Sequence, residues 1–587
     1  MSSGPRFLAG RVLALSHRHS PRVLIIGAGF GGLAAAVALR RKGIDDLLIV
    51  ERADGVGGTW RQNVYPGAAC DIQSHLYSFS FAPNRAWSRT YASQPEILAY
   101  LETVADDFDL RRHLMLGTSV RRVVWNEEAQ HWDVELASEG ANRVIVADVV
   151  VSAVGLFGAV RYPDIDGLAD FSGEVMHTAR WDTSVDLTGK RVAIVGTGAS
   201  GVQVVPELAH TTAQLTVFQR TPPWMVPKED RPYTIEELAR FRRHPWAALR
   251  ERWRLWKLQH DNTALTPDHP RLAVVQEVSE KFLRRHVADD ELRDALTPRY
   301  PFRCKRVLLG EKYYVALQRP HVDLVTDPIE RITSTSVVTA GGKIVDVDVL
   351  VLATGFETSR YLSGLDVIGI AGENLHDRWG LDPRAYLGVA VSGFPNLFML
   401  YGPNTNQGAN SIIYILEAGA RLVASAVSRL ARRGGFVDVR PEAEHRFNET
   451  INSELERTIW TRCDSYYRSP SGRIVTQWPH SELDYARATW RLRPRAIGSI
   501  STDSRDPEID YTADEFTILE IRVSVVDLVE PVSLRHHLVE PQLAGLVEPG
   551  QHRDVRSGIV GPEDGAAQVL VHQDEVLHVD VDRPDRS

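Results

Sequence analysis

Arg22-Val23-Leu24-Ile25-Ile26-Gly27-Ala28-Gly29-Phe30-Gly31-Gly32 is the stretch on which the fold turns. An apolar run of strand length enters a GxGxxG turn, and Leu33 to Arg40 follows with a helical composition. Gly27, Gly29 and Gly32 suit this place because a tight turn, close approach to a pyrophosphate and close helix–strand packing all exclude a Cβ. The N–H groups at the start of such a helix hold phosphate oxygens. A second apolar run, Leu47 to Val50, ends at Glu51, 24 positions after Gly27, where a carboxylate would accept from a ribose hydroxyl.

The same grammar returns downstream. Lys190 to Val195 leads into Gly196-Thr197-Gly198-Ala199-Ser200-Gly201, and Leu215 to Phe218 supplies the next strand. Here the residue 24 positions after the first glycine is Arg220, not an acid. A guanidinium matches a 2′-phosphate in charge and geometry, whereas a carboxylate would repel it. The chain thus predicts an α/β architecture with two Rossmann-like domains, the first suited to FAD and the second to NADPH. Two such sites predict hydride transfer from nicotinamide to flavin. Disulfide reductases share that plan but need a redox cysteine pair. The three cysteines, Cys70, Cys304 and Cys463, lie far apart, form no CxxC, and predict neither a disulfide framework nor a metal site. Molecular oxygen is then the expected electron acceptor, and a reducing cytoplasm the expected compartment.

Composition narrows the remaining classes. With 43% hydrophobic and 24% charged residues over 587 positions, the chain is globular in type and too long for one core. The net charge of -9 is unevenly placed: Ile500 to Ser587 holds 19 acidic residues against 7 arginines, so the other 499 residues carry about +3. No basic domain face of the nucleic-acid type results. No apolar run approaches the roughly 20 residues of a membrane span.

Two further stretches carry a family resemblance. Gly57-Gly58-Thr59-Trp60-Arg61-Gln62-Asn63-Val64-Tyr65-Pro66-Gly67-Ala68-Ala69-Cys70-Asp71 resembles the flavin-domain motif of Baeyer–Villiger monooxygenases. Phe171, Gly173, His177 and Trp181 match every fixed position of that family's FxGxxxHxxxW fingerprint. With the two turns, the resemblance spans residues 20 to 490. It implies a glutathione-reductase-like pairing of the two domains. It also implies insertion of one oxygen beside a ketone carbonyl, by way of a flavin peroxide, with NADPH and O2 consumed. It gives Arg306, within Phe302-Arg303-Cys304-Lys305-Arg306, the place beside the flavin, and Asp71 the place of the acid that orients it. Lys305, Arg220 and Thr221 fall to the NADPH 2′-phosphate. Gly58, Trp60, Tyr77 and Gly402 fall to the flavin, and His177 to the link between the domains. Arginine suits the catalytic place on chemical grounds, since a developing anion needs a cation that does not act as a proton donor. Two alternatives stay open: an N- or S-oxygenating flavin monooxygenase, whose relatives usually lack the final Trp, and an NADPH-oxidising electron carrier.

The organisation follows. Residues 1–20 read as a disordered leader and 20–165 as the first part of the FAD domain. The NADPH domain is expected at 166–345, the returning FAD part at 346–499, and an acidic, mostly disordered tail at 500–587. The buried-strand run Asp148 to Gly155 closes the first part; a second such run, Asp348 to Gly355, is taken to mark the return. Inside the NADPH domain, 234–297 reads as helices mixing Trp246, Trp253 and Trp256 with Arg242, Arg243, Arg250, Arg252 and Arg254. A basic amphipathic helix over 240–257 suits a membrane surface; the reading preferred from sequence is a lid with its Trp face on the core and its charges in water.

Overall fold

The computed structural model describes residues 20–260, 266–408, 410–490 and 496–498. The leader and the acidic tail therefore lie outside the described residues, Ser20 apart. Two five-stranded parallel sheets form the framework. The first is ordered Leu397–Met399, Val149–Ser152, Val23–Ile26, Leu47–Val50, Leu114–Met115. The second is ordered Val322–Val325, Gln214–Phe218, Arg191–Val195, Val349–Leu352, Glu174–His177. Strands such as VLII, VVVS and VLVL are buried at every position, as parallel strands covered on both faces must be. Helix Phe30–Arg41 covers the first sheet and packs on helix Ile412–Arg433, while helix Ala199–Leu208 covers the second.

The two sheets repeat one another locally. In each, the strand that enters the glycine turn lies between the strand that follows it and a later apolar run. Even the flanking clamp is duplicated. Arg22 donates its backbone N–H and guanidinium to Asp148, and Arg191 does the same to Asp348. This corrects the expected boundary at residue 346. Val349–Leu352 does not open the returning FAD part; it is an inner strand of the second sheet, in register with Val192 to Val195 on one side and Glu174 to His177 on the other. The chain leaves the second sheet only after Gly355.

The crossing points sit side by side. Arg161 donates its N–H to the Gly355 carbonyl (3.0 Å), Glu357 to Ala159 (3.0 Å), and the Thr354 hydroxyl to the Arg161 carbonyl (2.5 Å). The outgoing and returning connections are therefore hydrogen-bonded to each other.

Two other expectations are overturned. The insertion is helical as expected, with Ile235–Arg243, Pro245–His260, Pro270–His286 and Asp290–Ala295. Its tryptophans, however, do not face the core: Trp246 is 59% and Trp253 49% exposed, and Trp256 is half-buried. The inner face of Pro245–His260 is made by Ala247, Ala248, Leu255 and, unexpectedly, Arg252. That guanidinium is accommodated because Nη1 donates to the His75 and Ser78 carbonyls (2.8 and 2.9 Å) and the group lies 5.0 Å from the Tyr414 ring centre. The cysteine expectation also fails. Cys304 and Cys463, 159 positions apart, form a disulfide within an apolar cluster that includes Phe302, Ile459 and Trp460. Sequence distance hid a pair that folding brings together. The support this gave to a reducing compartment, and to the exclusion of a cysteine pair, is removed.

Candidate active site

The first glycine turn is built by exclusion of side chains. Gly27 has φ +102°, and a Cβ there would meet the Ala153 carbonyl at 2.7 Å; a Cβ on Gly32 would lie 1.9 Å from the Gly27 carbonyl. Gly29 faces Gly58, with only 3.4 Å between a Gly29 Cβ and the Gly58 Cα, so two bare backbones line the start of helix Phe30–Arg41. Glu51 is buried, and its two carboxylate oxygens accept from the Ala28 and Ala53 N–H groups (2.8 and 2.9 Å). It is thereby fixed as an acceptor at the end of its strand. Trp60 donates its indole N–H to the Tyr77 hydroxyl (3.1 Å), and Phe30 packs edge-on to Tyr77.

The second turn repeats the first at its first and third glycines and differs at the second. Gly196 has φ +107°, a Cβ there would meet the Ala353 carbonyl at 2.6 Å, and one on Gly201 would meet the Gly196 carbonyl at 2.3 Å. Above Gly198 nothing lies within 4 Å of a Cβ. Arg220 is exposed and Thr221 half-buried, with the Thr221 carbonyl accepting from Thr197 Oγ1. Lys305 has its pKa lowered, first by burial and then by repulsion from Arg220, with Asp464 acting in the opposite sense. Two cations on the side of the second turn thus disfavour each other, an arrangement that a phosphate between them would relieve. The residues fit FAD at the first turn and NADPH at the second.

Asp71 and Arg306 are brought together as an ion pair. Arg306 donates Nε to Asp71 Oδ2 (3.0 Å), and its Nη2 contacts the same oxygen. Attraction to Asp71 holds the Arg306 pKa well above its usual value against the effect of burial, with Tyr466 and Tyr467 adding to the rise. For Asp71, burial pushes the pKa up, but Arg306, through charge and hydrogen bonding, together with Lys228, brings it below the usual value. Both members remain ionised, and Nη1 makes no hydrogen bond among the described residues. Asp71 is delivered by a loop pressed tightly on helix Ala199–Leu208. Gly67 has φ +81°, and a Cβ there would lie 2.5 Å from the Gln203 carbonyl. Gln203 also accepts from the Tyr65 hydroxyl (2.8 Å) and donates to the Ala69 carbonyl (2.9 Å). Gln203 and Tyr65 therefore brace the loop that carries Asp71, and Lys228 favours its charged form; of the three only Tyr65 lies in a motif legible from sequence.

Of the four fingerprint residues, His177 lies beside the segments of the domain crossing. His177 is 1% exposed; its Nδ1 accepts from the Ala179 N–H (3.0 Å), and its ring lies edge-on to Tyr162 and Phe356. Burial, then the nearby Arg180, lower its pKa to about 4, so the ring is neutral at ordinary pH, with Nδ1 accepting and the one ring proton left on Nε2. Gly173 lets Phe171 and the Asp348 carbonyl close over it, and Trp181 packs on the core of the second sheet. These four are not brought to the Arg306–Asp71 pair by any contact. Gly402 is buried against the Gly388 carbonyl, where a Cβ would lie at 2.2 Å. Next to it, Tyr401 donates to Asn406 (2.7 Å), Asn406 contacts Gln477, and Gln407 and Asn410 donate to the buried Glu482 (3.0 and 2.9 Å). Gln407 Oε1 and Gln477 Nε2 are buried without partners among the described residues, which leaves an acceptor and a donor for a bound group. No group of three or more metal-ligating side chains occurs among the described residues.

Residues 24–250 match a family of pyridine nucleotide-disulphide oxidoreductases. Over 481 residues the chain is 41% identical to a Baeyer–Villiger monooxygenase of Streptomyces coelicolor, covering 81% of this chain and 92% of that one. Cyclohexanone monooxygenase from Rhodococcus sp. Phi1 bound to NADP+ superposes with a TM-score of 0.71 at 33% identity, covering 80% of this chain and 96% of that one. The OTEMO complex with FAD and NADP gives 0.71 at 28% identity, over 80% and 97%. With two similar glycine turns, an ionised arginine–aspartate pair and this likeness along most of its length, the chain belongs to the Baeyer–Villiger monooxygenases.

Proposed function

We propose that the protein oxidises a ketone to an ester or lactone: ketone, O2, NADPH and a proton give the ester, NADP+ and water. FAD supplies the electron relay and the activation of oxygen. The chain's own residues do the rest. Glu51 receives the ribose of FAD, and the bare backbone at Gly29 and Gly58 lets its pyrophosphate approach. Arg220, Thr221 and Lys305 hold the 2′-phosphate that separates NADPH from NADH. Arg306 stabilises the negative charge that develops on oxygen during transfer, and Asp71 fixes the direction of the guanidinium while keeping it charged.

The observation that carries this reading is the Arg306–Asp71 ion pair, in which Nε and Nη2 are held and Nη1 makes no protein hydrogen bond among the described residues. The test is Arg306→Ala, assayed with a panel of linear, cyclic and aryl ketones. NADPH should still bleach the flavin, while ester formation falls roughly a hundredfold or more and hydrogen peroxide takes its place. Normal ester yield would remove Arg306 from the chemistry. Amine or sulfide oxidation with no ester from any ketone would favour the heteroatom-oxygenating alternative.

No described helix is long and apolar enough to cross a membrane. A cytoplasmic setting, where NADPH is regenerated, accords with the proposed reaction. Fractionation of cells would check it.

A further inference from the structure

The outward face of helix Pro245–His260 remains unexplained by the chemistry. At 100° per residue, Trp246, Leu249, Arg250, Trp253 and Lys257 fall on one stripe, spaced 3, 4 and 7 apart. All five are exposed, with 59%, 45% and 49% for Trp246, Leu249 and Trp253. The buried residues Ala248, Arg252 and Leu255 lie on the opposite side. The two indoles are about 10 Å apart along the helix axis. Lys257 Nζ lies 5.8 Å from the Trp253 ring centre, so the cationic and aromatic parts of the stripe are interleaved.

The charge around the stripe is mainly positive, with Glu251 on the flank and Glu236 and Glu237 at the far end of the preceding helix. The preceding helix ends in exposed Arg242 and Arg243. Among the described residues, Arg242, Arg243 and Arg250 make no ion pair; on the flank, Arg254 pairs with Glu251 at 2.7 Å. Internal ion pairing therefore leaves a surplus of positive charge beside two exposed indoles. Indole rings favour the boundary between headgroups and acyl chains, and lysine and arginine favour anionic headgroups. A helix held to the protein along one side and carrying both on the other lies on a membrane rather than across it.

We infer that this stripe docks the protein on an anionic phospholipid surface. The inference does not depend on the reaction, because binding is measured without turnover. Full-length protein is sedimented with vesicles of neutral phosphatidylcholine, or with about one-third phosphatidylglycerol included, at low and high salt. Binding is expected only to the anionic vesicles, with loss at high salt. Trp246→Ala with Trp253→Ala should weaken it roughly tenfold or more, and so should Arg242→Gln with Arg243→Gln and Arg250→Gln. Both variants should keep the wild-type melting temperature and NADPH oxidation rate, because none of these side chains is in the nucleotide sites. Vesicle binding that is absent, or equal in wild type and folded variants, overturns the proposal. So does a dimer, seen by light scattering, that both substitution sets abolish.

Discussion

At the scale of single residues, Arg306 serves because a guanidinium has more donors than one partner needs. Nε and Nη2 are committed to one oxygen of Asp71, which leaves Nη1 to meet a charge that exists only during reaction. Lysine at this position would have to choose between the two tasks. Arg220 and Lys305 show the opposite economy: like charges close enough for Arg220 to lower the Lys305 pKa, held there at some cost in the free protein. Arg220→Gln removes half of that arrangement. The Michaelis constant for NADPH should rise about tenfold or more, with little change for NADH, since one charge-assisted contact to phosphate is worth roughly 1.5–3 kcal/mol. An unaltered ratio of the two constants would put the 2′-phosphate elsewhere.

At the scale of elements, the turns were legible because their requirement is steric and local. Gly27 and Gly196 each close on a carbonyl just past the end of a later strand, and no other residue type does that without displacing backbone. The same logic made Glu51 and Arg220 readable from spacing alone. What remained hidden depends on contacts between distant segments. The sheet to which Val349–Leu352 belongs is not legible, because a buried parallel strand has the same composition wherever it sits. The outward side of Trp246 and Trp253 is hidden because aromatic residues are usually buried, and nothing in the sequence says that Arg252 takes the inner side. The Cys304–Cys463 bond was invisible for the same reason, and it matters because Arg306 is only two positions beyond Cys304. Reduction, or Cys304→Ser, should lower stability by about 5 kcal/mol, the order expected for so long a closed loop. It should also raise the fraction of NADPH that ends as hydrogen peroxide, while leaving the rate of flavin reduction unchanged. Identical melting and coupling with and without a thiol reductant would show that the bond does not brace the arginine.

At the scale of the whole molecule, two buried histidines tie stability to pH. His75, beneath the insertion, has its pKa lowered to about 4, by burial first, with Arg252 adding and Glu251 opposing. His177, at the domain crossing, is lowered to about 4 as well. Below the unfolded value of 6.5 the unfolded chain takes up protons that the folded one refuses, so these groups remove stability as pH falls from 6.5 toward 4. The denaturant midpoint should decline across that window, and His177→Asn should flatten part of the decline. A midpoint with the same slope in the variant would mean that other groups set it.

Arg252 has a consequence for anyone who would pare this protein down. Residues 234–297 look like an appendage grafted onto the nicotinamide half, and a protein engineer would excise them first. Yet the carbonyls of His75 and Ser78, a few positions past Asp71, are capped from that appendage. A trimmed enzyme would leave those two buried carbonyls without their donor, so the excision reaches the segment that carries Asp71.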